Sequence, residues 1–490
     1  MKLKIKNKEN IYLSPYTPIT VEFEKYLKNT FDIDIDGYID SSKDGTNIYK
    51  PKDIQDLSIS NILILSPNWG KEIYDNLTNF LNKDKLTIMV KSSKGYNKSI
   101  LNIRLIQIID KLILKLINNI FGFYNIQIIK LWTHRIGELC LENEAFLDKI
   151  INNKSYKNKN FIVLSYLIEK DISNRTLYDL YKNIFRKYKN IFFLEKNIFN
   201  KYLQYALKNK LINKKLILNI EQKSNAYELF TNKKPIIKFT KKDIINGDKI
   251  LKKLNITKPF VCIFARDSKY THTTFKHYSW SHNDYRNFDI DTYELTIKYL
   301  IEKGYIVVRI GNIVSKELAF KHPQCIDYPY SDFQSDFMDI FLISKCQFIM
   351  GSTSGLVDVS CAFSIPRIGV NYMPIDHAPY STNKDIFIPK KLIYKNKYLG
   401  LEQYLALIQK SNLSHWDTNT YDKLGITIEN NTGKEILAVV KEYLGDYGYN
   451  KDDELNQQKY QQIHLKSKQF KEVKTKIGTD FLRTNNWFIK

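Results

Sequence analysis

The sequence predicts an α/β fold in which successive strand–helix units build parallel sheets, and three observations carry that expectation. Short apolar runs of strand length recur between segments of helical period, among them Asn61–Ser66 (NILILS), Phe260–Ala265 and Phe348-Ile349-Met350. Unbroken apolar strands are those buried on both faces, as in parallel sheets covered by helices. The third is the stretch Ser344–Pro366, SKCQFIMGSTSGLVDVSCAFSIP, which reads as strand, small-residue turn and helix. Its helix, Leu356–Ala362, is stopped by Pro366, and Arg367–Asn371 reads as the next strand. A strand feeding Gly351-Ser352-Thr353-Ser354-Gly355 at a helix N-terminus offers free N–H groups, hydroxyls and the positive end of the helix dipole to an anion. The same pattern also describes a turn whose Ser/Thr residues merely cap a helix, so the neighbouring units have to decide.

With 490 residues the chain is too long for one core, and two or three domains are expected. Its 75 Lys+Arg against 52 Asp+Glu leave a formal charge of +23, which favours anionic partners. Lys, Asn and Ile dominate everywhere, however, and the excess forms no basic arm. No RNA-recognition or helix-turn-helix signature is present, so a specific nucleic-acid partner is not expected. The five cysteines stand singly and no CxxC occurs, which speaks against a zinc site or a disulfide framework. They read as reduced thiols of a cytoplasmic protein. The opening MKLKIKNKENIYL has no apolar core and is not a signal peptide.

Residues 1–93 read as strand Asn10–Leu13, helix Thr20–Asn29, the alternating run Asp32–Asp40, strand Asn61–Ser66, helix Gly70–Leu81 and strand Lys85–Val90. The pattern resembles small Rossmann-like nucleotide-sensing domains that accompany sugar-modifying enzymes. Ser14-Pro15-Tyr16-Thr17-Pro18 stands where a dinucleotide fingerprint needs glycines, so an accessory module is expected rather than a dinucleotide site. Residues 94–124 form a linker whose segment Ser99–Tyr124 is long enough to span a bilayer. Arg104, Asp110, Lys111 and Lys115 interrupt it, which argues against a transmembrane helix. It reads either as an amphipathic helix in peripheral contact with the inner membrane face or as a helix packed between domains.

Residues 125–250 begin a second α/β unit with strand Ile126–Leu131, a turn at Thr133–Leu139 leading into a helix, and strand Phe161–Leu164. Helices follow over Asn174–Tyr188 and Asn197–Asn213, then a poorly patterned join from about 219 to 247. Ligands of such units lie outside the carboxyl ends of the strands, which makes His134, Arg135, Gly137 and Glu138 site candidates. A capped helix with solvated charges accounts for the same residues. Residues 251–447 form the third unit: strand Phe260–Ala265, loop Arg266–Asn287, helix Thr292–Lys303, strand Tyr305–Ile310, short strand Cys325–Asp327 and helix Asp336–Ser344. Arg266, Arg309 with Gly311, and Gly351–Gly355 follow strands of sequential units and could meet on one diphosphate-sized anion. The loop tetrad Asp284-Tyr285-Arg286-Asn287, and Asp336 and Asp339 ahead of the Ser/Thr turn, complete the polar set. His272, His277 and His282 lack ligand spacing, and the D-x-D triplets at Asp32 and Asp289 read as a strand and a helix start, so no metal is expected. A last strand-and-helix unit occupies Thr418–Leu444.

The chain resembles putative bacterial glycosyltransferases of surface-polysaccharide gene clusters. The motifs that carry the resemblance are HRIGEL (His134–Leu139), VCIFARDSKY (Val261–Tyr270), DYRNFDIDTYELTIKYLIEKGYIVVRIG (Asp284–Gly311), DYPYSDFQSDFMDIFLISKCQFIMGSTSGL (Asp327–Leu356) and DIFIPK (Asp385–Lys390). They span the last three-quarters of the chain, and the R-then-STSG order is distantly like that of fucosyl- and heptosyltransferases. Phe264 departs from the family's frequent His two places before the Arg. The resemblance implies a GT-B fold, two Rossmann-like domains facing a cleft, preceded here by the small accessory domain. It implies a metal-independent transfer with a nucleotide sugar as donor and a glycan or lipid-linked acceptor, without a further cofactor. By that implication Arg266, Arg309, Gly311, Ser352, Thr353, Ser354 and Gly355 hold the diphosphate. Arg135, Gly137, Asp284, Tyr285, Arg286, Asn287 and Asp336 contact the sugar or close the cleft, and His134 or Glu138 is the general base. Residues 448–490 are expected to begin as a disordered polar tail, Asn450–Lys466, and to end with Ile477–Ile489 docked on the domain of residues 125–250. Other readings are another sugar-phosphate enzyme on the same fold, such as an epimerase or a pyruvyl- or phosphotransferase, or a non-catalytic basic protein that binds membranes or nucleic acid.

Overall fold

A computed structural model describes residues 11–490 except 16–17, 32–33, 42, 45, 53–60, 65–85 apart from 73 and 77, 93–94, 99–112, 167–171, 219–229, 232–233, 275–279 and 468–472. The predicted helix Gly70–Leu81 apart from Ile73 and Leu77, residues 99–112 of the apolar linker, and His277 fall outside the described set. The chain divides into two compact units, Met1–Asn119 and Ile120–Lys490. In the first, strands β1 (Ile11–Ser14), β2 (Gly37–Ile39), β3 (Ile48–Tyr49), β4 (Asn61–Ile64), β5 (Leu86–Ser92) and β6 (Gly95–Lys98) form one sheet in the order β3-β2-β1-β4-β5-β6. All neighbours are parallel except β5 with β6. Helix α1 (Pro18–Phe31) buries Phe23 and Leu27 against it. The order of the first five strands is that of a doubly wound sheet. At the end of β1, Ser14 Oγ donates to the Ile39 carbonyl of β2 at 2.9 Å, and Thr20 Oγ1 donates to the Pro15 carbonyl at 2.8 Å. Residues 113–123 are helical, and no helix among the described residues is long and apolar enough to cross a membrane.

The second unit contains two parallel sheets. In the smaller, β7 (Ile126–Lys130), β8 (Asn160–Leu164) and β9 (Ile191–Leu194) lie side by side. Ile217 bridges β7 on its free side, again in parallel. Helices α2 (Ile136–Asn152), α3 (Arg175–Phe185) and α4 (Ile198–Lys208) flank it. The join from 219 to 247 ends in α5 (Lys241–Lys253), whose start is set by a capping box between Thr240 and Asp243. The larger sheet gathers β10 (Phe260–Phe264), β11 (Ile306–Arg309), β12 (Cys325–Asp327), β13 (Ile349–Gly351), β14 (Arg367–Tyr372) and β15 (Ile386–Pro389), with α6 (Glu294–Glu302) and α7 (Asp336–Lys345) among its helices. Its order is β12-β11-β10-β13-β14-β15, extended by a last strand, Lys476–Ile477. Read from the first strand of the unit, that is the 3-2-1-4-5-6 order of a doubly wound dinucleotide fold. The second unit is therefore a pair of Rossmann-like halves facing a cleft, the GT-B arrangement.

Two expectations are corrected at the C-terminal end. Asn450–Lys466 is no disordered tail: Lys451–His464 is a helix whose Asn450–Asp453 capping box fixes its start and which buries Tyr460, Ile463 and His464. Few of its residues are apolar, but they recur at helical spacing, and that suffices to seat it. The terminal segment docks on the larger sheet, not on the domain of residues 125–250. Lys476–Ile477 pairs with β15, and Ile477, Phe481 and Phe488 join that sheet's core. The predicted helix Leu356–Ala362 is also two short turns, Gly355–Asp358 and Ser360–Phe363, with the Ser360 hydroxyl donating back to the Val357 carbonyl at 2.7 Å.

One of the two apolar clusters of the second unit runs through both halves. Phe146, Phe161 and Tyr181 of the smaller half pack in one cluster with Cys262, Val308 and Phe341 of the larger. Beneath the Ser/Thr turn, the fully buried Arg367 donates to Asp358 Oδ1 at 2.9 Å and to Ser360 Oγ at 2.8 Å, while Asp385 accepts its backbone N–H at 3.0 Å. Replacing one member of a buried ion pair strands the other, at a cost of about 3–5 kcal/mol. Arg367→Met should therefore lose about that much in urea unfolding, with an unchanged denaturant slope.

Candidate functional site

The strand order of each sheet reverses beside its first strand, and a doubly wound sheet opens a crevice at that point, beyond the strand carboxyl ends. In the smaller half the chain leaves β7 through Trp132, Thr133, His134 and Arg135 into α2. In the larger it leaves β10 into Ala265 and Arg266, and β13 into Ser352–Gly355. The two crevices face one another across a cleft of about 290 Å³. His134, Arg135, Gly137 and Glu138 line it from one side, and Arg266, Arg286, Gly311, Ser354 and Gly355 from the other.

The halves meet at two glycines. A Cβ on Gly355 would lie 2.7 Å from the backbone nitrogen of Gly137, and one on Gly137 would lie 2.7 Å from the Gly355 Cα. Neither position has room for a side chain, because what it would meet is backbone. This contact seats the start of α2 on the turn Gly355–Asp358, where Cys140 Sγ also approaches the Asp358 carbonyl at 3.6 Å. Arg135 precedes α2 without making a capping hydrogen bond, so its side chain is free to pair with Glu138 at 2.8 Å and to lie over the Trp280 ring of the opposite half, 5.4 Å from its centre.

The larger half contributes a cluster of buried and half-buried cations. Arg266, 7% exposed, donates to Asn287 Oδ1, and the Asn287 amide in turn donates to Ser268 Oγ at 2.6 Å and Asp284 Oδ1 at 3.0 Å. Arg286 donates to the Thr353 carbonyl at 3.4 Å and to Asn283, and its Nε has no hydrogen-bond partner among the described residues. Lys390, 2% exposed, donates to the Asn287 carbonyl at 2.6 Å. Burial, with the charge of Arg286 beside it, pushes Arg266 down to about 10. Burial likewise lowers Arg286, and burial next to Arg266 pushes Lys390 down to about 7. Desolvation disfavours each charge and like neighbours add to the cost. An anion entering the cleft is the natural counter-charge.

Several predicted residues stand elsewhere. Arg309 is turned into its own domain, where it donates to the Lys316 carbonyl at 2.7 Å and Asp327 Oδ1 at 3.2 Å. Asp336 accepts the Arg175 N–H at 2.6 Å and so fixes the start of α3. Thr353 is fixed by its hydroxyl, which donates to the Met373 carbonyl at 2.7 Å, and Ser352 is fully buried with no partner for its Oγ among the described residues. Asp284 orients Ser268 and Asn287. Tyr285 packs in the core, its ring centre 5.3 Å from that of Tyr421, and burial pushes its hydroxyl up to about 12. Asp289 and Asp291 both bind Lys316, at 2.7 and 2.5 Å.

Ser173, Asn174 and Trp280 line the cleft without having been singled out in the sequence, and Lys390 stands behind Arg266. Lys390 had a legible signal, since it is the first charge beyond the carboxyl end of the strand IFIP, as Arg266 is beyond FVCIF. Behind Glu138, burial and the Glu138 charge push Glu142 up to about 8.

No protein-family model and no curated protein matches the chain. Among solved structures, a glycosyl transferase family 9 protein from Veillonella parvula matches 66% of this chain and 98% of its own, at 11% identity and a TM-score of 0.37. The ADP-heptose lipopolysaccharide heptosyltransferase II of E. coli matches 59% and 100%, at 11% identity and 0.31. The wall teichoic acid polymerase TagF matches 74% and 70%, at 10% and 0.21. What defines the fold is the strand order described above.

Gly355→Ala should push the two helix starts apart. Overpacking of this kind costs about 1–3 kcal/mol, readable as a lower unfolding midpoint, and Gly137→Ala should do the same.

Proposed function

We propose that this protein is a glycosyltransferase that takes a sugar from a nucleoside-diphosphate donor and passes it to a hydroxyl of a glycan or lipid-linked acceptor. The observation that carries the reading is the group of three cations, the buried Arg266 and Lys390 and the half-buried Arg286, whose charges are held at a cost beside an open cleft. A diphosphate is the ligand that relieves it. Arg266 and the turn Ser354–Gly355 line the same cleft and offer its two phosphates a guanidinium and backbone N–H groups. As the bond to the sugar breaks, charge accumulates on the leaving diphosphate, and cations already in place stabilise it without reorganisation. The fixed cations Arg266 and Arg286 supply this charge without a bound metal. The acceptor enters from the side of His134, Glu138 and Ser173. The motif resemblance supports an acceptor from surface-polysaccharide or lipopolysaccharide assembly.

Thermal-shift and calorimetric titration against UDP, GDP, ADP and CDP tests this. At least one should bind, and at a hundredfold excess over its Kd should stabilise the fold by about 2.7 kcal/mol. Arg266→Ala should weaken that binding by about 1.5–3 kcal/mol, the worth of a charged hydrogen bond, without lowering the unfolding temperature. No binding by any of the four to the wild type would overturn the reading.

Lys390 gives the binding a pH dependence. Its folded value of about 7 lies below that of a free lysine, and a bound anion raises it, so binding takes up a proton when the pH is above 7. Affinity should therefore fall as pH rises from 6.5 to 8.5. The fall should be smaller in Lys390→Met, in which only the ligand's own ionisation remains.

A further inference from the structure

Two acidic residues open α7, and the fold uses them differently. Asp336 caps α3. Asp339, on the same first turn, lines the cleft opposite Ser173 and Asn174. It is 4% exposed, and its Oδ1 has no hydrogen-bond partner among the described residues. The titratable and charged groups around it are Asp336 on its own helix, Tyr328 on the turn before α7, Tyr270 after β10 of the same half, and Arg175 at the start of α3. The Arg175 guanidinium is held by Asp179 at 2.9 Å, and none of the others is a cation. Burial pushes the Asp339 carboxyl up to about 7, and the Asp336 charge adds to this, although Tyr328 and Gln334 favour ionisation. Asp339 lines the cleft with its Oδ1 unpartnered among the described residues, while Tyr328 and Gln334 hydrogen-bond to its carboxyl, and it changes its protonation near neutral pH. By contrast, Glu138 has one oxygen committed to Arg135. The far wall adds two more buried oxygens without partners among the described residues, Glu138 Oε2 and Ser173 Oγ. That wall suits a ligand rich in hydroxyl donors.

We propose that Asp339 is the catalytic proton acceptor of the transfer, a role that rests on the donor reading above. Its Oδ1 takes the proton of the attacking hydroxyl as that oxygen bonds to the anomeric carbon. The bond from that carbon to the diphosphate oxygen breaks, and the electron pair leaves with the diphosphate toward Arg266 and Arg286. The base thus comes from the half that binds the donor, while Ser173 and Glu138 orient the acceptor.

The test uses the full chain as wild type, Asp339→Asn and Asp339→Glu. Three quantities are read: binding of UDP, GDP, ADP and CDP, release of nucleoside diphosphate from the matching sugar nucleotides with water as acceptor, and unfolding temperature at pH 5 and pH 8. Asp339→Asn should bind the preferred diphosphate within threefold of wild type and lose turnover by a factor of about 10²–10⁴. The wild-type rate should rise with pH to a plateau just above 7, an acid limb absent from Asp339→Asn. Asp339→Glu should keep that limb on a lower plateau. Because the carboxyl is harder to ionise folded than unfolded, it favours the fold below about pH 4 and loses that contribution as pH rises to 7. Asp339→Asn should accordingly be at least as stable as wild type at pH 8, with the gap narrowing at pH 5. Turnover within threefold of wild type, or an Asn variant less stable than wild type at pH 8, would overturn the role of Asp339 while leaving the donor reading intact. If the wild type bound no nucleoside diphosphate, both would fall.

Discussion

The second unit depends on one steric constraint, the backbone-to-backbone approach of Gly137 and Gly355. Two Rossmann-like halves can face each other in many ways, but here the start of α2 rests on the turn that follows β13 with no side chain between. Everything chemical in the cleft is measured from that contact. Arg135 can reach Trp280, and the open end of α2 can face the cation cluster, because neither glycine carries a Cβ. The apolar core that continues from one half into the other makes the same arrangement stable as well as close.

Against that fixed frame the charges divide by wall. The larger half concentrates Arg266, Arg286 and Lys390 behind the carboxyl ends of its strands, and burial makes each charge expensive. The opposite wall presents oxygens, from Glu138 and Ser173. A ligand with an anionic end and a hydroxylated end complements both walls. Arg367 and Asp358, below the floor, belong to a different economy: they neutralise each other, and their task is to hold the Ser/Thr turn in place.

How much of this could be read in the sequence follows from what is local. The apolar runs at Phe260–Ala265 and Phe348–Met350, the glycine-flanked STS turn and the strand-end position of Arg266 are local patterns, and the structure has strands and a turn at those places. The direction of a side chain is not local. Arg309 and Arg266 both end strands, yet Asp327 on the neighbouring strand draws Arg309 away from the cleft. Asp336 and Asp339 sit one turn apart, and only the packing of α7 on α3 separates a cap from a cleft residue. The polar stretch 451–464 looked unstructured because few of its residues are apolar. Its helix is specified by a capping box and by buried side chains at Asp453, Gln457, Tyr460 and His464, one helical face, a weaker signal than composition. The terminal strand, too, finds its partner by completing a sheet edge, which no local pattern announces.

The continuous core has a consequence for engineering. In proteins whose two lobes touch only across a solvent-filled gap, donor and acceptor specificities can be exchanged by splicing lobes from different parents. Here Phe146 and Phe161 of one half share a packed interior with Phe341 and Val308 of the other, and the glycine pair admits no misfit. A chimera cut between the halves would therefore join two surfaces that never evolved to interdigitate. The grafts that can succeed are small ones, confined to the loops that follow the strands.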